Sequence, residues 1–66
     1  MEIRINGESR KLDSELKLDQ LLSHFSMPLK RVAVELNGTV VRRADWETVQ
    51  VTEGDKIEVV HFVGGG

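Results

Sequence analysis

The sequence contains no cysteine, which excludes disulfide bonds, thiolate metal sites and a protein thiol as the carrier of any sulfur. It has one proline, two phenylalanines, one tryptophan and no tyrosine, too few aromatic rings for a base-stacking platform. No apolar stretch approaches the ~20 residues that a membrane span requires, and the first residues lack the apolar core of a signal peptide. We therefore expect neither a nucleic acid nor a membrane as partner, and predict a cytoplasmic protein.

The charges and histidines point away from catalysis as well. Nine basic residues stand against 11 acidic ones, a net charge of −2, whereas nucleic-acid binders are usually strongly basic. His24 and His61 are the only histidines, and neither has a neighbour at metal-ligand spacing. We interpret His24 as a solvated residue near a helix end and His61 as a packing residue. The sequence predicts no metal site and no enzyme.

Glycine marks the turns of the protein. Asn6-Gly7 and Asn37-Gly38 are strong signals for two-residue hairpin turns, because a type I′ turn needs positive φ at both central residues. Around these turns apolar and polar residues alternate, which is typical of half-buried strands. The segment after the first turn is almost wholly polar and therefore suits a sheet edge. The predicted strands cover residues 1–6, 8–12, 31–36, 39–42 and 56–63.

One segment has the spacing of a helix. Leu18, Leu21, Leu22 and Phe25 form one apolar stripe, and Pro28 follows its end. The order hairpin, helix, hairpin, loop, strand predicts an α+β protein with a mixed sheet of four to five strands and the helix packed on one face. The apolar last strand should lie centrally, parallel to the first. This arrangement is the β-grasp fold. In the irregular segment 43–52 we expect Trp46, Val49 and Val51 to face inward.

Three consecutive glycines, Gly64-Gly65-Gly66, follow the hydrophobic segment 61–63 without a spacer. They are either a frayed or added end, or a tether for the α-carboxylate of Gly66. An α-carboxylate has a pKa of roughly 3.3–3.7, so it is ionised at neutral pH and can attack the α-phosphate of ATP. Glycine has no Cβ, so a run of glycines can approach an enzyme's nucleotide through a narrow passage. The two interpretations stay open on these residues alone.

The pattern resembles a known family, the ThiS sulfur carriers of thiamine biosynthesis, which are ubiquitin-like β-grasp proteins. The similarity extends along the whole sequence. It is carried by Asn37-Gly38, Val41, Arg43, Trp46, Gly54-Asp55, Ile57-Glu58 and Val63-Gly64-Gly65-Gly66. The resemblance implies a β-grasp domain over residues 1–63 and a flexible glycine tail over 64–66.

The resemblance also implies a mechanism. A ThiF-like adenylyltransferase would activate Gly66 with ATP, a sulfur-delivery enzyme would convert the adenylate to a thiocarboxylate, and thiazole synthase would accept the sulfur. The protein itself would bind no cofactor, since ATP is used by the adenylyltransferase. Three alternatives remain: a sulfur carrier for molybdopterin synthesis, a protein modifier joined to lysine, and a non-covalent interaction module.

A carrier also needs a surface for its partners. Alternation along the last strand puts Glu58, Val60 and Phe62 on one face and places Val63 on the other, and Ala33 should share the face of Val60. We predict that Val60, Phe62, Val63, Ala33 and Glu58 bind partners, the alternative being that another loop covers the apolar ones. Arg42 and Arg43 read more simply as solvated charges than as partner contacts, and Trp46 as an anchor of the core or loop.

Overall fold

The computed structural model of the protein describes residues 1–62. The predictions on Val63 and on the glycine tail fall outside the described residues, as does the domain boundary placed between 63 and 64. The order of elements is β1 (Glu2–Ile5), β2 (Glu8–Lys11), α1 (Leu18–His24), β3 (Val32–Leu36), β4 (Thr39–Val41), a 3₁₀ helix (Arg43–Asp45) and β5 (Lys56–His61).

The five strands form one sheet in the order β2-β1-β5-β3-β4. β1 and β5 are parallel, and the other neighbouring pairs are antiparallel. The prediction of a mixed sheet with a central last strand and one helix is therefore confirmed. Both hairpin turns also have the predicted geometry, since φ is positive at Asn6 and Gly7 (50° and 83°) and at Asn37 and Gly38 (52° and 85°).

The core lies between the helix and one face of the sheet. Leu18, Leu21 and Leu22 of α1 are fully buried and belong to one cluster with Val34 and Ile57 of the sheet. Burying a leucine side chain contributes roughly 1.5–3 kcal/mol relative to leaving it exposed. A helix of seven residues depends on such packing, because in isolation it would not be stable. β2, by contrast, is exposed along its whole length at the sheet edge, as predicted.

The segment 43–52 is more ordered than its sequence pattern predicts. It contains the 3₁₀ helix, and Trp46 and Val51 are buried, which confirms the expectation that they face inward. Its carbonyl groups receive the first amides of α1: Leu18 N–H donates to Val49 O at 2.9 Å, and Asp19 N–H donates to Trp46 O at 3.2 Å. The first amides of a helix have no hydrogen-bond acceptor within the helix, and the segment 43–52 provides acceptors for two of them.

Candidate functional site

The sheet face opposite the helix, here called the open face, carries the predicted partner-binding residues that the structure describes. Ala33 is directly opposite Val60 in the β3·β5 pairing, so their side chains lie on one face. The side chain of Val60 is 51% exposed and that of Phe62 is 49% exposed. The alternative that another loop covers them is wrong for the part of the protein that the structure describes. Val63 lies outside the described residues.

The structure adds a residue that sequence reasoning missed. Val40 of β4 is 62% exposed and lies opposite Glu35, which puts it on the open face two strands from β5. The signal was present in the sequence, because a two-residue turn at Asn37-Gly38 fixes the β3·β4 register and so the face of each residue. We define the docking surface as Ala33, Val40, Glu58, Val60 and Phe62.

The docking surface has an acidic side. Glu58 lies directly opposite Glu35 across β3 and β5, and Glu58 is exposed. Within residues 1–62 the only ion pair joins Arg10 to Glu8, so neither Glu35 nor Glu58 is neutralised there. Like charges directly opposite each other on a sheet destabilise it. This pair therefore favours a basic group on any surface that docks against it.

The two neighbouring arginines differ, although their sequence interpretation was the same. Arg42 is exposed, as expected of a solvated charge. The Arg43 guanidinium, however, lies over the Trp46 ring, 4.5 Å from its centre, and donates a hydrogen bond to the carbonyl of Leu29. Arg43 is also exposed, in agreement with the interpretation as a solvated charge, but its contacts join segments that are distant in sequence. Trp46 is an anchor, as predicted, and its indole N–H donates to Val41 O at 3.0 Å.

The two histidines are both exposed. This agrees with the interpretation of His24 and contradicts that of His61, which was expected to pack. His61 lies on the helix-side face of β5, but β1 has ended before that point and leaves its side chain uncovered. Among residues 1–62 there is no group of three or more histidine, aspartate or glutamate residues that could hold a metal ion.

A surface cavity of about 400 Å³ lies on the other side of the molecule, between α1 and the 3₁₀ helix. Asp19, Arg43 and Trp46 are among its lining residues. One carboxylate oxygen of Asp19 is buried without a hydrogen-bond partner in the described structure, while Arg43 is already engaged. None of the residues that line the cavity belongs to the docking surface, and we assign the cavity no part in the site. No helix within residues 1–62 has the length and apolar character to cross a bilayer.

Comparisons with known proteins agree with this geometry. The model of the ThiS family matches residues 3–66. The chain belongs to the ThiS family. The sulfur carrier protein ThiS of Bacillus subtilis is 32% identical over 65 residues, which is 97% of this chain and 98% of that protein. The crystal structure of the thiamine biosynthesis protein ThiS from Geobacter metallireducens superposes with a TM-score of 0.89 at 35% identity and covers 100% of both chains.

Two longer relatives of this ThiS-family protein have another name. The thiazole synthase of Paramagnetospirillum magneticum is 38% identical over 66 residues, and that of Magnetococcus marinus is 42% identical over 66 residues. In both cases the match covers 100% of this chain but 20% of the relative. The chain therefore spans about one-fifth of the length of the thiazole synthases that it matches.

Proposed function

We propose that this protein carries sulfur for thiamine biosynthesis as a thiocarboxylate on Gly66. The observation that carries the proposal is the match to the ThiS family, which runs through the glycine tail and accompanies an exposed apolar surface on β5 just before it. The full-length similarity to the Bacillus subtilis sulfur carrier supports the same conclusion. The protein acts as a co-substrate of partner enzymes rather than as an enzyme.

The chemistry proceeds in two steps on the Gly66 carboxylate. A carboxylate oxygen attacks the α-phosphorus of ATP, the phosphoanhydride bond breaks, and diphosphate leaves, which gives an acyl-adenylate. Sulfur at the oxidation level of hydrosulfide then attacks the acyl carbon and the C–O bond to AMP breaks, so that AMP leaves and sulfur replaces one oxygen. A ThiF-type adenylyltransferase performs the first step, and a sulfur-delivery enzyme supplies the nucleophile. ATP belongs to the adenylyltransferase and is not a cofactor of this protein.

The acceptor of the sulfur is thiazole synthase. The thiazole synthase of Paramagnetospirillum magneticum contains a segment similar to the whole of this sequence, which supports a partnership between the two activities. The docking surface supplies apolar contacts through Val60 and Phe62. We expect both partners to place a lysine or arginine opposite Glu35 and Glu58, since these two carboxylates lie side by side. The reactions take place in the cytoplasm, where ATP is available.

Intact-protein mass spectrometry tests the proposal. The protein is incubated with a ThiF-type adenylyltransferase, ATP and a sulfur source, and its mass should rise by the difference between one sulfur and one oxygen atom. A mass that stays constant with an enzyme shown to be active on another ThiS protein contradicts the proposal. A matched variant with one alanine added after Gly66 should keep the fold and form no adenylate, because its carboxylate is displaced by one residue.

The same reaction separates the alternatives. A protein modifier would appear as conjugates of higher mass, formed when a lysine amine displaces AMP. A non-covalent module would bind its partners equally well after deletion of Gly65 and Gly66. To distinguish thiazole from molybdopterin supply, the protein is expressed in strains that lack either carrier. We expect rescue of thiamine synthesis, and rescue of molybdopterin synthesis alone would contradict the assignment.

A further inference from the structure

The backbone groups of β5 point alternately to its two neighbouring strands. Asn37 N–H donates to Lys56 O at 2.8 Å, and Phe62 N–H donates to Arg31 O at 2.9 Å, both across the β3 side. In an antiparallel pair hydrogen-bonded and non-hydrogen-bonded positions alternate. The backbone N–H and C=O groups of residues 56, 58, 60 and 62 therefore point towards β3 and the residues that flank it. The backbone groups of residues 57, 59 and 61 therefore point towards β1.

β1 does not extend far enough to pair with all of these groups. Asn6 N–H donates to Ile57 O at 2.9 Å, and the Asn6 side-chain oxygen accepts from Val59 N–H at 2.7 Å. The backbone then turns away at Gly7, and Glu8 is already paired with Ile5 in the hairpin. Within residues 1–62 no group hydrogen-bonds the carbonyl of Val59 or the N–H of His61. The last part of β5 thus has an open edge on its β1 side.

This open edge lacks the protection that the β2 edge of the sheet has. β2 presents Glu8, Arg10 and Lys11 along its edge, and such charges discourage the addition of further strands. At the open edge of β5 the sequence reads Val59-Val60-His61-Phe62, with no Asp, Glu, Lys or Arg. Val60 and Phe62 are both about half exposed beside it. An unprotected edge with flanking apolar side chains is the feature that an extended peptide segment recognises when it adds to a sheet.

We propose that an extended segment of the adenylating enzyme pairs with the open edge of β5 as an added strand. The segment offers a backbone N–H to the Val59 carbonyl, a backbone carbonyl to the His61 N–H, and apolar side chains over Val60 and Phe62. This inference rests on the proposed function, because it takes the adenylating enzyme as the partner. The edge directly precedes residues 63–66, so pairing there fixes the backbone from which the reactive carboxylate is presented.

A second copy of the protein is a poorer occupant. The open edge offers a second copy about two backbone hydrogen bonds, and each contributes little net free energy in water. Of the two outer edges of a second copy, the β2 edge would bring its charges against Val60 and Phe62, and the β4 edge is only three residues long. The adenylating enzyme, in contrast, also holds the tail that follows the edge, so its contacts there act together with those at the edge.

Amide hydrogen exchange of the wild-type protein tests the inference without any substitution. In the free protein we expect the His61 amide to exchange faster than that of Val59, which Asn6 protects. Addition of a purified ThiF-type adenylyltransferase without ATP should slow the exchange of His61 by about tenfold or more, since a new hydrogen bond protects it. An unchanged His61 rate in a complex shown to be saturated would overturn the inference.

Two variants at one position give the second test. Both His61→Pro and His61→Ala remove the imidazole, but proline also removes the N–H, which points away from β3 and is not needed for the β3·β5 pairing. We expect His61→Pro to bind the adenylyltransferase about tenfold more weakly than His61→Ala, which corresponds to one hydrogen bond at the upper end of its usual net value. Unfolding curves of the two variants confirm that both are folded. Equal affinities would overturn the inference.

Failure of the inference can be told apart from failure of the proposed function. If the wild-type protein is adenylated and His61→Pro binds as tightly as His61→Ala, strand addition is wrong and the carrier function stands. If the wild-type protein is neither bound nor adenylated by an active enzyme, the proposed function fails and the inference fails with it. A dimer of the protein whose formation depends on the residue 61 amide would overturn the choice of partner.

Discussion

The two halves of the segment 56–62, which comprises β5 and the residue after it, differ in their surroundings. In the first half, Lys56–Glu58, the backbone is bonded to β1 on one side and to β3 on the other, and Ile57 is fully buried. In the second half, residues 59–62, β1 has ended, and Val60 is 51% exposed although it is also a branched aliphatic residue. The difference comes from the neighbouring strand and the face, not from hydrophobicity. The first half therefore stabilises the fold, and the second half is available to partners.

The two turn asparagines mark the start of each half. The Asn37 side-chain oxygen accepts from Lys56 N–H at 2.9 Å, and that of Asn6 accepts from Val59 N–H at 2.7 Å. Asn37 also donates to an Asp55 carboxylate oxygen at 3.0 Å, while the other Asp55 oxygen accepts from Thr52 N–H at 2.8 Å. Within residues 1–62 no comparable network surrounds the Asn6 side chain. The first half of β5 is thus held by several coupled contacts and the second half begins at a single one.

The largest expected effect is a loss of stability, which should be much greater for a substitution in the first half of β5 than for one in the second half. Ile57→Ala should lower the free energy of unfolding by about 2–5 kcal/mol, since it leaves a cavity in the core. Val60→Ala removes an exposed side chain and should change it by about 0.5 kcal/mol or less. Urea denaturation measures both. A domain of this size has roughly 3–10 kcal/mol of stability in total, so Ile57→Ala is best studied at low temperature or with stabilising salt. Equal losses for the two variants would contradict the division of β5.

Substitution of Asn37 tests the network that holds the first half. Asn37→Ala should lower the free energy of unfolding by about 2–3 kcal/mol. It removes two side-chain hydrogen bonds, and it leaves alanine at a positive φ, where a side chain with a Cβ is strained and alanine has no hydrogen bond to compensate. Asn37→Gly keeps the turn conformation and should cost about 1–2 kcal/mol. Thermal or urea unfolding of the pair gives the difference. If Asn37→Gly is as stable as the wild type, the side-chain bonds contribute nothing.

Substitution of Asn6 sharpens the comparison at the start of the second half. Asn6→Gly loses one hydrogen bond and should cost about 0.5–1.5 kcal/mol, less than Asn37→Gly. The more specific readout is hydrogen exchange, in which the Val59 amide should become about as fast as that of His61 while the amides bonded to β3 stay slow. A Val59 amide that remains protected in Asn6→Gly would place the end of the β1 pairing elsewhere.

The smallest effect on stability is expected at Phe62, where the effect on function should be large. Phe62→Gln should change the free energy of unfolding by about 0.5 kcal/mol or less, because the ring is half exposed. It should lower adenylation by a ThiF-type enzyme more than Val40→Gln does, since Val40 lies two strands away from β5. The rate of adenylation is measured from the release of diphosphate. A greater loss for Val40→Gln would move the centre of the docking surface towards β4.

The fold could be predicted from local patterns because those patterns have local causes. The Asn-Gly pairs require positive φ, and the alternation on either side of Asn37-Gly38 assigns Val32 and Val34 to the core whatever the rest of the sequence does. The stripe of Leu18, Leu21 and Leu22 likewise has a single way to face the sheet. The placement of Ala33 with Val60 followed from the same alternation and a central last strand.

The features that the sequence did not predict depend on where another segment ends or folds back. His61 was expected to pack, but its exposure depends on the point at which β1 stops, and alternation within β5 carries no such information. The contact of Arg43 with Trp46 and Leu29 requires the 3₁₀ helix, which at three residues is too short to give a periodic signal. The open edge of β5 was missed for the same reason as the exposure of His61.

The indole of Trp46 gives the protein a built-in optical probe. It is the only tryptophan of the sequence, it is buried, and it is fixed by Val41 and Arg43 away from the open face. Its fluorescence should therefore change when the protein unfolds and remain steady when an enzyme without tryptophan covers Val60 and Phe62. Folding and complex formation can be followed separately in one cuvette, with no dye attached to a protein that has no cysteine to label.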